Sequence, residues 1–157
     1  MKEELEQSSC GVALEGRLDH AYNEEGFRYF LEIERKRATR LGRPCVLLLV
    51  GLKGHAKPPA RIDPVLAAKL FSSLWLCLRE TDVIGWYRED RVAGALLTQL
   101  ADIPQTDTIR ERVTGALWHD LRPAISRRLL VHVYQLRLRP QSGSICYDTR
   151  SIAGERS

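Results

Sequence analysis

The segment from residue 45 to residue 52 most constrains how this chain folds, because every position in it is apolar or glycine. A strand with one face in solvent alternates apolar and polar residues, whereas a strand covered on both faces reads as a continuous apolar run. Gly42 lies just before the run, and a loop containing Gly54, Pro58 and Pro59 follows it. The pattern predicts a buried strand over residues 45–52.

Helices are predicted on both sides of this strand. Asn23 is a helix-capping residue type, and helical spacing continues from it to about residue 41, where Gly42 ends the helix. Asp63 followed by Pro64 predicts the start of a second helix that ends near Arg79. Its inward-facing positions are expected to be Val65, Leu66, Leu70, Leu74 and Leu78.

Three further elements complete the pattern. Residues 83–87 and 92–97 read as a hairpin because only four residues separate them. A helix is expected from about residue 105 to 121, ended by Pro123, and a last strand over residues 129–138. The order helix, strand, helix, hairpin, helix, strand indicates an α+β fold. Its sheet is antiparallel and ferredoxin-like, with the helices packed on one face.

The length of 157 residues suits one domain. We expect residues 1–20 to be a tail or lead-in helix, residues 21–140 the domain, and residues 141–157, rich in Ser, Gly and Arg, a flexible tail. No apolar run is long enough for a membrane span, and the N-terminus is too acidic for a secretory signal. These features predict a cytoplasmic protein without membrane insertion.

Cysteine spacing and charge exclude several kinds of site. The four cysteines are scattered, with no pair at zinc-ligand spacing, so reduced structural thiols are expected rather than disulfides or a metal centre. The net charge is +4 but the basic residues form no single stripe, so no nucleic-acid partner is expected.

Several segments, in a fixed order, carry a resemblance to a known family. Residues 23–27 read N-E-E-G-F, residues 42–53 read G-R-P-C-V-L-L-L-V-G-L-K, and residues 79–92 read R-E-T-D-V-I-G-W-Y-R-E-D-R-V. They resemble the N-R-R-x-F, g-x-p-l-a-l-l-l-x-D-x-D and R-x-x-D-x-x-x-R-Y-G-G-D-E-F segments of GGDEF (diguanylate cyclase) domains. The resemblance spans about residues 23–138 and implies the nucleotidyl-cyclase palm.

The departures from the family pattern predict that the chain is not an enzyme. The family's Gly-Gly-Asp/Glu-Glu-Phe signature falls on residues 88–92, where Arg88 and Glu89 replace the glycines that let the backbone approach a nucleotide. The metal-binding aspartates fall on Gly51 and Lys53, and phosphoryl transfer at such sites depends on metals held by carboxylates. The resemblance therefore implies a degenerate domain with no catalytic residues, no metal and no cofactor.

Arg79 and Asp82 match the family's R-x-x-D inhibitory site, which binds cyclic di-GMP in active relatives. Arg112 fits the position of an arginine that completes this site, often from a second subunit. Arginine donates to guanine and phosphate, and aspartate accepts from the guanine edge. The resemblance thus implies a cyclic di-GMP receptor through Arg79, Asp82 and Arg112, with a homodimer as a reasonable expectation.

Two other interpretations stay open. Arg79 is also suited to a helix C-terminus and Asp82 to a turn, so that both residues are structural. The domain would then be a nucleotide-independent scaffold for a protein partner, in a bacterial signalling or exopolysaccharide system. An enzyme of changed chemistry would need a catalytic set that the sequence does not offer.

Overall fold

The computed structural model describes residues 21–54, 59–98, 100, 105–138 and 145–147. The predicted tail at residues 1–20 lies outside them. The helices are α1 (Glu24–Leu41), α2 (Pro64–Cys77), α3 (Thr106–Asp120) and α4 (Pro123–Ser126). The strands are β1 (Cys45–Leu52), β2 (Val83–Arg88), β3 (Val92–Leu97), β4 (Leu129–Leu138) and β5 (Ile145–Tyr147).

The strands form one sheet in the order β2-β3-β1-β4-β5, and every neighbouring pair is antiparallel. The first four strands have the ferredoxin-like arrangement, in which β1 lies between β3 and β4. Leu48 of β1 is paired with Ala95 on one side and Val133 on the other, and all three are buried. The predicted α+β palm and the predicted buried strand are confirmed.

Helices cover both faces of the sheet, so the expectation that they lie on one face was wrong. Alternate residues of β1 point to opposite faces. One face packs against α2 and α3 in the main core, and the other packs against α1. The α1 face is a smaller cluster around Phe27, Leu47 and Leu96. This second layer explains why β1 is apolar at every position.

Local signals set the helix ends. The Asn23 side chain accepts from the Gly26 amide at 2.8 Å, and Gly42 ends α1 with a φ of 65°, a left-handed conformation that favours glycine. The Asp63 side chain accepts from the Leu66 amide at 2.8 Å and caps α2. Both helix starts were predicted correctly.

Two glycines allow the first segment to approach the hairpin closely. Tyr22 forms a single parallel bridge to Gly85, and a Cβ at Gly85 would lie 2.6 Å from the Tyr22 carbonyl oxygen. The fully buried Phe27 ring packs on Gly94, where a Cβ would lie 2.9 Å from the ring. The α1 layer is therefore fixed to β2 and β3 by steric fit.

Four details differ from the sequence expectations. Val65, in the first turn of α2, is 73% exposed rather than inward-facing. α2 ends at Cys77 rather than near Arg79. Pro123 begins α4, as proline at a first helical position does. The segment 141–157 was predicted to be a flexible tail, but β5 within it pairs with β4. The other residues of this segment lie outside the described ones.

Of the helices in the described part of the chain, none is long and apolar enough to cross a membrane.

Candidate functional site

The R-x-x-D segment forms the turn between α2 and β2. The Asp82 amide donates to the Arg79 carbonyl at 3.0 Å, and the Arg79 amide donates to Asp82 Oδ2 at 2.9 Å. These reciprocal bonds close the turn, since an aspartate side chain readily accepts from nearby backbone amides. The spacing of the two residues is thus what the turn itself requires.

Asp82 is inward-facing. Its side chain is 1% exposed, and Oδ1 accepts from the Thr98 amide at 3.4 Å, just after β3. Burial raises the pKa of the Asp82 carboxyl from its ordinary value, and the hydrogen bond from the Arg79 amide and the charge of Arg79 oppose that rise. Asp82 therefore joins the end of α2 to the end of β3.

The Arg79 side chain contacts the same junction between the end of α2 and the end of β3. Its Nη2 donates to the Thr98 carbonyl at 2.6 Å and lies 3.7 Å from Asp82 Oδ1, while its side chain remains 54% exposed. The guanidinium is thus fixed at one terminal nitrogen and open to solvent elsewhere. A cation held this way is positioned for an anion, because less side-chain entropy is lost when the anion binds.

Arg112 lies on α3 beside this turn. It is exposed. Burial raises the pKa of both Asp82 and Cys77, and the positive charge of Arg112 opposes that rise, which places it within electrostatic range of them. Arg79, Asp82 and Arg112 border one open cavity of about 670 Å³. The structure thus brings all the predicted ligand residues to one place, although the side chain of Asp82 is buried there.

The rest of the cavity is mainly apolar. Its wall includes Leu76, Leu78, Leu97, Leu100 and Ile109, and Gln105 and Thr108 add polar groups at the start of α3. Apolar walls with a few convergent polar groups are typical of small-molecule sites. The sequence analysis did not predict Thr98 or Gln105 as site residues. The one signal for Thr98 is that it is a polar residue directly after an apolar strand.

The turn of the hairpin β2–β3 is the second region of interest. Asp90 has a φ of 62°, and its Oδ2 lies 3.2 Å from Arg61 Nη2. Arg91 Nη1 donates to the Pro59 carbonyl at 2.7 Å. Both side chains thus bind the loop that precedes α2, and the turn is closed against this loop.

The start of α1 closes the turn from the other side. The Glu89 amide donates to Glu24 Oε1 at 2.8 Å, and the Glu24 amide donates to Glu89 Oε1 at 3.2 Å. A carboxylate at a helix N-terminus is favoured by the helix dipole. The exchange therefore ties the hairpin to α1.

The sequence matches no protein-family model and no curated protein. Solved structures do match. The GGDEF domain of FimX from Pseudomonas aeruginosa has 17% identity and a TM-score of 0.60, over 84% of this chain and 87% of that one. SiaD, a diguanylate cyclase of Pseudomonas aeruginosa solved with its activator SiaC, has 18% identity and a TM-score of 0.60, over 87% of this chain and 55% of that one.

A third match is the coiled coil and GGDEF domain of DgcB from Caulobacter crescentus in complex with cyclic di-GMP. It has 10% identity and a TM-score of 0.56, over 90% of this chain and 78% of that one. This chain has the fold of a GGDEF domain. The resemblance stated from the sequence motifs is confirmed at the level of the fold.

In this GGDEF-like domain the positions that resemble a metal site carry no carboxylates. Gly51 faces the hairpin, where a Cβ would meet the Arg91 carbonyl oxygen at 3.5 Å, and Lys53 is exposed. No group of three or more His, Cys, Asp or Glu side chains suited to a metal occurs within the described ranges. The described residues at this end of β1 thus offer a divalent cation no cluster of acidic ligands.

Proposed function

We propose that this GGDEF-like domain is a catalytically inactive regulatory module that binds cyclic di-GMP in the cavity between α2 and α3. The observation that carries the proposal is the meeting of Arg79 and Arg112, from two separate elements, at one apolar cavity beside the R-x-x-D turn. The ligand carries two phosphates and two planar bases. Guanidinium groups suit the phosphates, and the leucine-lined wall suits the bases.

Support for the nucleotide comes from the site and from proteins of similar fold. The DgcB domain was solved with cyclic di-GMP, and a second GGDEF structure, with a TM-score of 0.51, describes an interaction with the same molecule. In the proposed complex Arg79 and Arg112 contact the ligand. Asp82 supports Arg79 by holding the turn.

Support for inactivity comes from the hairpin. The turn that aligns with the family signature is closed against the loop at Pro59 and against Glu24. Lys53 stands where the resemblance implies a metal-binding aspartate, and a lysine repels a cation. We therefore assign the regulatory role to the opposite end of β2, where the R-x-x-D turn lies.

Isothermal titration calorimetry with cyclic di-GMP tests the proposal. The wild-type protein is expected to bind with a dissociation constant in the micromolar range or tighter, and Arg79→Ala is expected to weaken binding at least about tenfold, the usual loss for a charged hydrogen bond. Arg40→Ala removes an exposed arginine at the end of α1 and is the matched control. Arg79→Ala must also retain its wild-type circular dichroism spectrum.

Two outcomes would contradict the receptor. One is the absence of heat at millimolar ligand, and the other is unchanged affinity in a folded Arg79→Ala protein. A ligand-linked homodimer belongs to the same proposal, and sedimentation velocity with and without cyclic di-GMP measures it. A monomer at saturating ligand would remove the dimer and leave the receptor.

A second candidate function is a scaffold that binds a protein partner without nucleotide. The observation in its favour is that large apolar side chains on α2 and α3 are exposed, with Leu76 at 77% and Trp118 at 50%. Exposed apolar groups of this size occur at protein-binding surfaces. The scaffold predicts no nucleotide affinity, so the same calorimetry separates the two functions.

A further inference from the structure

The end of α1 and the residues just after it carry a dense cluster of positive charge. Residues 35–43 read R-K-R-A-T-R-L-G-R, with five basic residues and no acidic one. The helix dipole favours a cation in the last turn of a helix, and Arg40 occupies that turn. One cation of this kind does not account for five, so the segment carries more charge than the end of the helix needs.

Ion pairs within α1 neutralise only part of this charge. Glutamates one turn earlier pair with two of the arginines, Arg35 and Arg37. The other three basic residues are exposed and have no ion-pair partner within the residues that the structure describes: Lys36, Arg40 and Arg43. Three uncompensated positive charges therefore remain at this end of the helix.

An exposed apolar side chain lies among these charges. Leu41, in the last turn of α1, is 56% exposed and borders a shallow recess together with Arg37 and Arg43. Gly42 then ends the helix, and β1 begins at Cys45. Leu41 and its basic neighbours thus lie on the exposed connection between α1 and the sheet.

The two ends of α1 carry opposite charge. Its first turn contains Glu24 and Glu25, and Glu89 of the hairpin is hydrogen-bonded to Glu24. A helix of 18 residues is about 27 Å long, whereas salt screens exposed charges beyond about 8 Å at physiological ionic strength. The acidic end therefore does not cancel the attraction of the basic end for an anionic surface.

We propose that the basic end of α1, formed by Lys36, Arg40 and Arg43 around Leu41, binds the anionic lipid surface of a membrane. The cations attract acidic headgroups, and Leu41 enters the boundary between headgroups and acyl chains, where apolar residues of surface-bound helices lie. A nucleic acid offers phosphates to the cations but leaves an aliphatic side chain beside them in water. The inference is independent of cyclic di-GMP, because this surface does not include the cavity between α2 and α3.

Co-sedimentation with sucrose-loaded vesicles tests the inference. We expect the protein to bind vesicles of phosphatidylcholine with about 30% phosphatidylserine at about 0.1 M salt, and not vesicles of phosphatidylcholine alone. Each cation near such a surface changes the partition coefficient about fivefold, so Lys36→Glu combined with Arg43→Glu should lower it at least about 100-fold. Arg122→Glu combined with Arg127→Glu is the matched control. Both arginines are exposed and precede β4, whose first residue pairs with the last residue of β1.

A second variant tests the apolar contact. Leu41→Ser should lower the partition coefficient about fivefold to tenfold, because the leucine no longer leaves water at the membrane surface. Val65→Ser is its control, since Val65 is 73% exposed on a different helix and should leave vesicle binding unchanged. Raising the salt to about 0.5 M should release the wild-type protein from the vesicles.

The outcomes are distinct. Loss of vesicle binding in the charge-reversed pair and a smaller loss in Leu41→Ser, with both controls unaffected, would support the inference. No binding of the wild-type protein to the phosphatidylserine vesicles would overturn it, as would wild-type binding in either test variant. Tighter binding to a short DNA duplex than to the vesicles would overturn it too. Circular dichroism checks that every variant is folded, and no nucleotide is present, so failure here leaves the proposed receptor standing.

Discussion

At the scale of single residues, Asp82 has a role different from the one that its motif suggests. Its carboxylate accepts from the backbone amides of Arg79 and Thr98, which follow two different elements, α2 and β3. Thr98 in turn donates from its hydroxyl to the Thr81 carbonyl at 3.3 Å and accepts from Arg79. A change at Asp82 is therefore first a change in stability, and any loss of ligand follows from a displaced Arg79.

Asp82→Asn is expected to lower the free energy of unfolding by about 1–3 kcal/mol, because the amide group places a donor against a backbone donor. The loss should depend on pH. Burial raises the pKa of Asp82 above its ordinary 3.8, so its contribution to stability is full below that pH and falls as the pH rises through the folded-state value. Urea unfolding should show a larger loss near about pH 4 than near about pH 7.

Asp120→Asn is a suitable control for this measurement. Its carboxylate accepts from the Ser73 hydroxyl of α2 at 2.5 Å, and it is exposed. A loss in Asp82→Asn that is the same at both pH values would contradict the assignment of a raised pKa to Asp82.

Sequence patterns placed Arg79, Asp82 and Arg112 near one another only through the resemblance, because nothing in local spacing brings α3 to the turn. The burial of Asp82 was not predictable in this way. It depends on where β3 ends relative to the turn, and that register is set by pairing between distant strands. The Arg61–Asp90 contact is of the same kind, since it joins residues from two loops.

At the scale of elements, the contact between Tyr22 and β2 fixes how the first segment enters the fold. The Tyr22 amide donates to the Ile84 carbonyl at 3.1 Å, and the Trp86 amide donates to the Tyr22 carbonyl at 2.8 Å. The pair encloses Gly85, which leaves no room for a side chain. The orientation of α1 against the sheet therefore depends on a glycine in a different element.

Gly85→Ala is expected to destabilise the protein by about 1–3 kcal/mol, because a methyl group there overlaps the Tyr22 backbone. Gly115→Ala is the matched control. Gly115 is exposed within α3 with nothing within 4 Å of its Cβ position, so alanine should stabilise the helix by about 0.5–1 kcal/mol. Chemical unfolding of the two variants should give shifts of opposite sign, and equal shifts would contradict the close approach at Gly85.

Elements with local signals were predicted well. Caps at Asn23 and Asp63 and the stop at Gly42 act within a few residues, so the helix boundaries they set were close to those observed. The side of the sheet that α1 covers was not predictable from its own sequence. β5 has only three residues, too few for an alternating pattern to appear in the sequence. It is recognised as a strand only by its pairing with β4.

At the scale of the whole molecule, the two ends of β2 are held by different sets of contacts. One end carries the turn with Arg79 and Asp82, and the other carries the closed hairpin with Asp90 and Arg91. The fold thus keeps the palm architecture while its hairpin end is bound to α1 and to the loop before α2. The proposed regulatory function uses only the opposite end of β2.

Incubation with GTP and Mg²⁺ or Mn²⁺ is expected to yield no cyclic di-GMP and no pyrophosphate above a protein-free control. The physical reason is that Gly51 and Lys53 stand where the resemblance places the carboxylates that hold the metals on which phosphoryl transfer depends. An active diguanylate cyclase run alongside, with product separated by chromatography, validates the assay. Formation of cyclic di-GMP would contradict the inactive domain, and a new product from GTP or ATP would indicate changed chemistry.

The short bridge at Tyr22 also bears on self-association. β2 is an outermost strand of the sheet, and the outer edge of a sheet presents unpaired amides and carbonyls that recruit strands from other molecules. Tyr22 occupies these groups at the middle of β2, and α1 then leads the chain away across one face. Tyr22 therefore protects the middle of the β2 edge from pairing with strands of other molecules. A change that detaches Tyr22 from β2 would expose this edge and favour edge-to-edge aggregation.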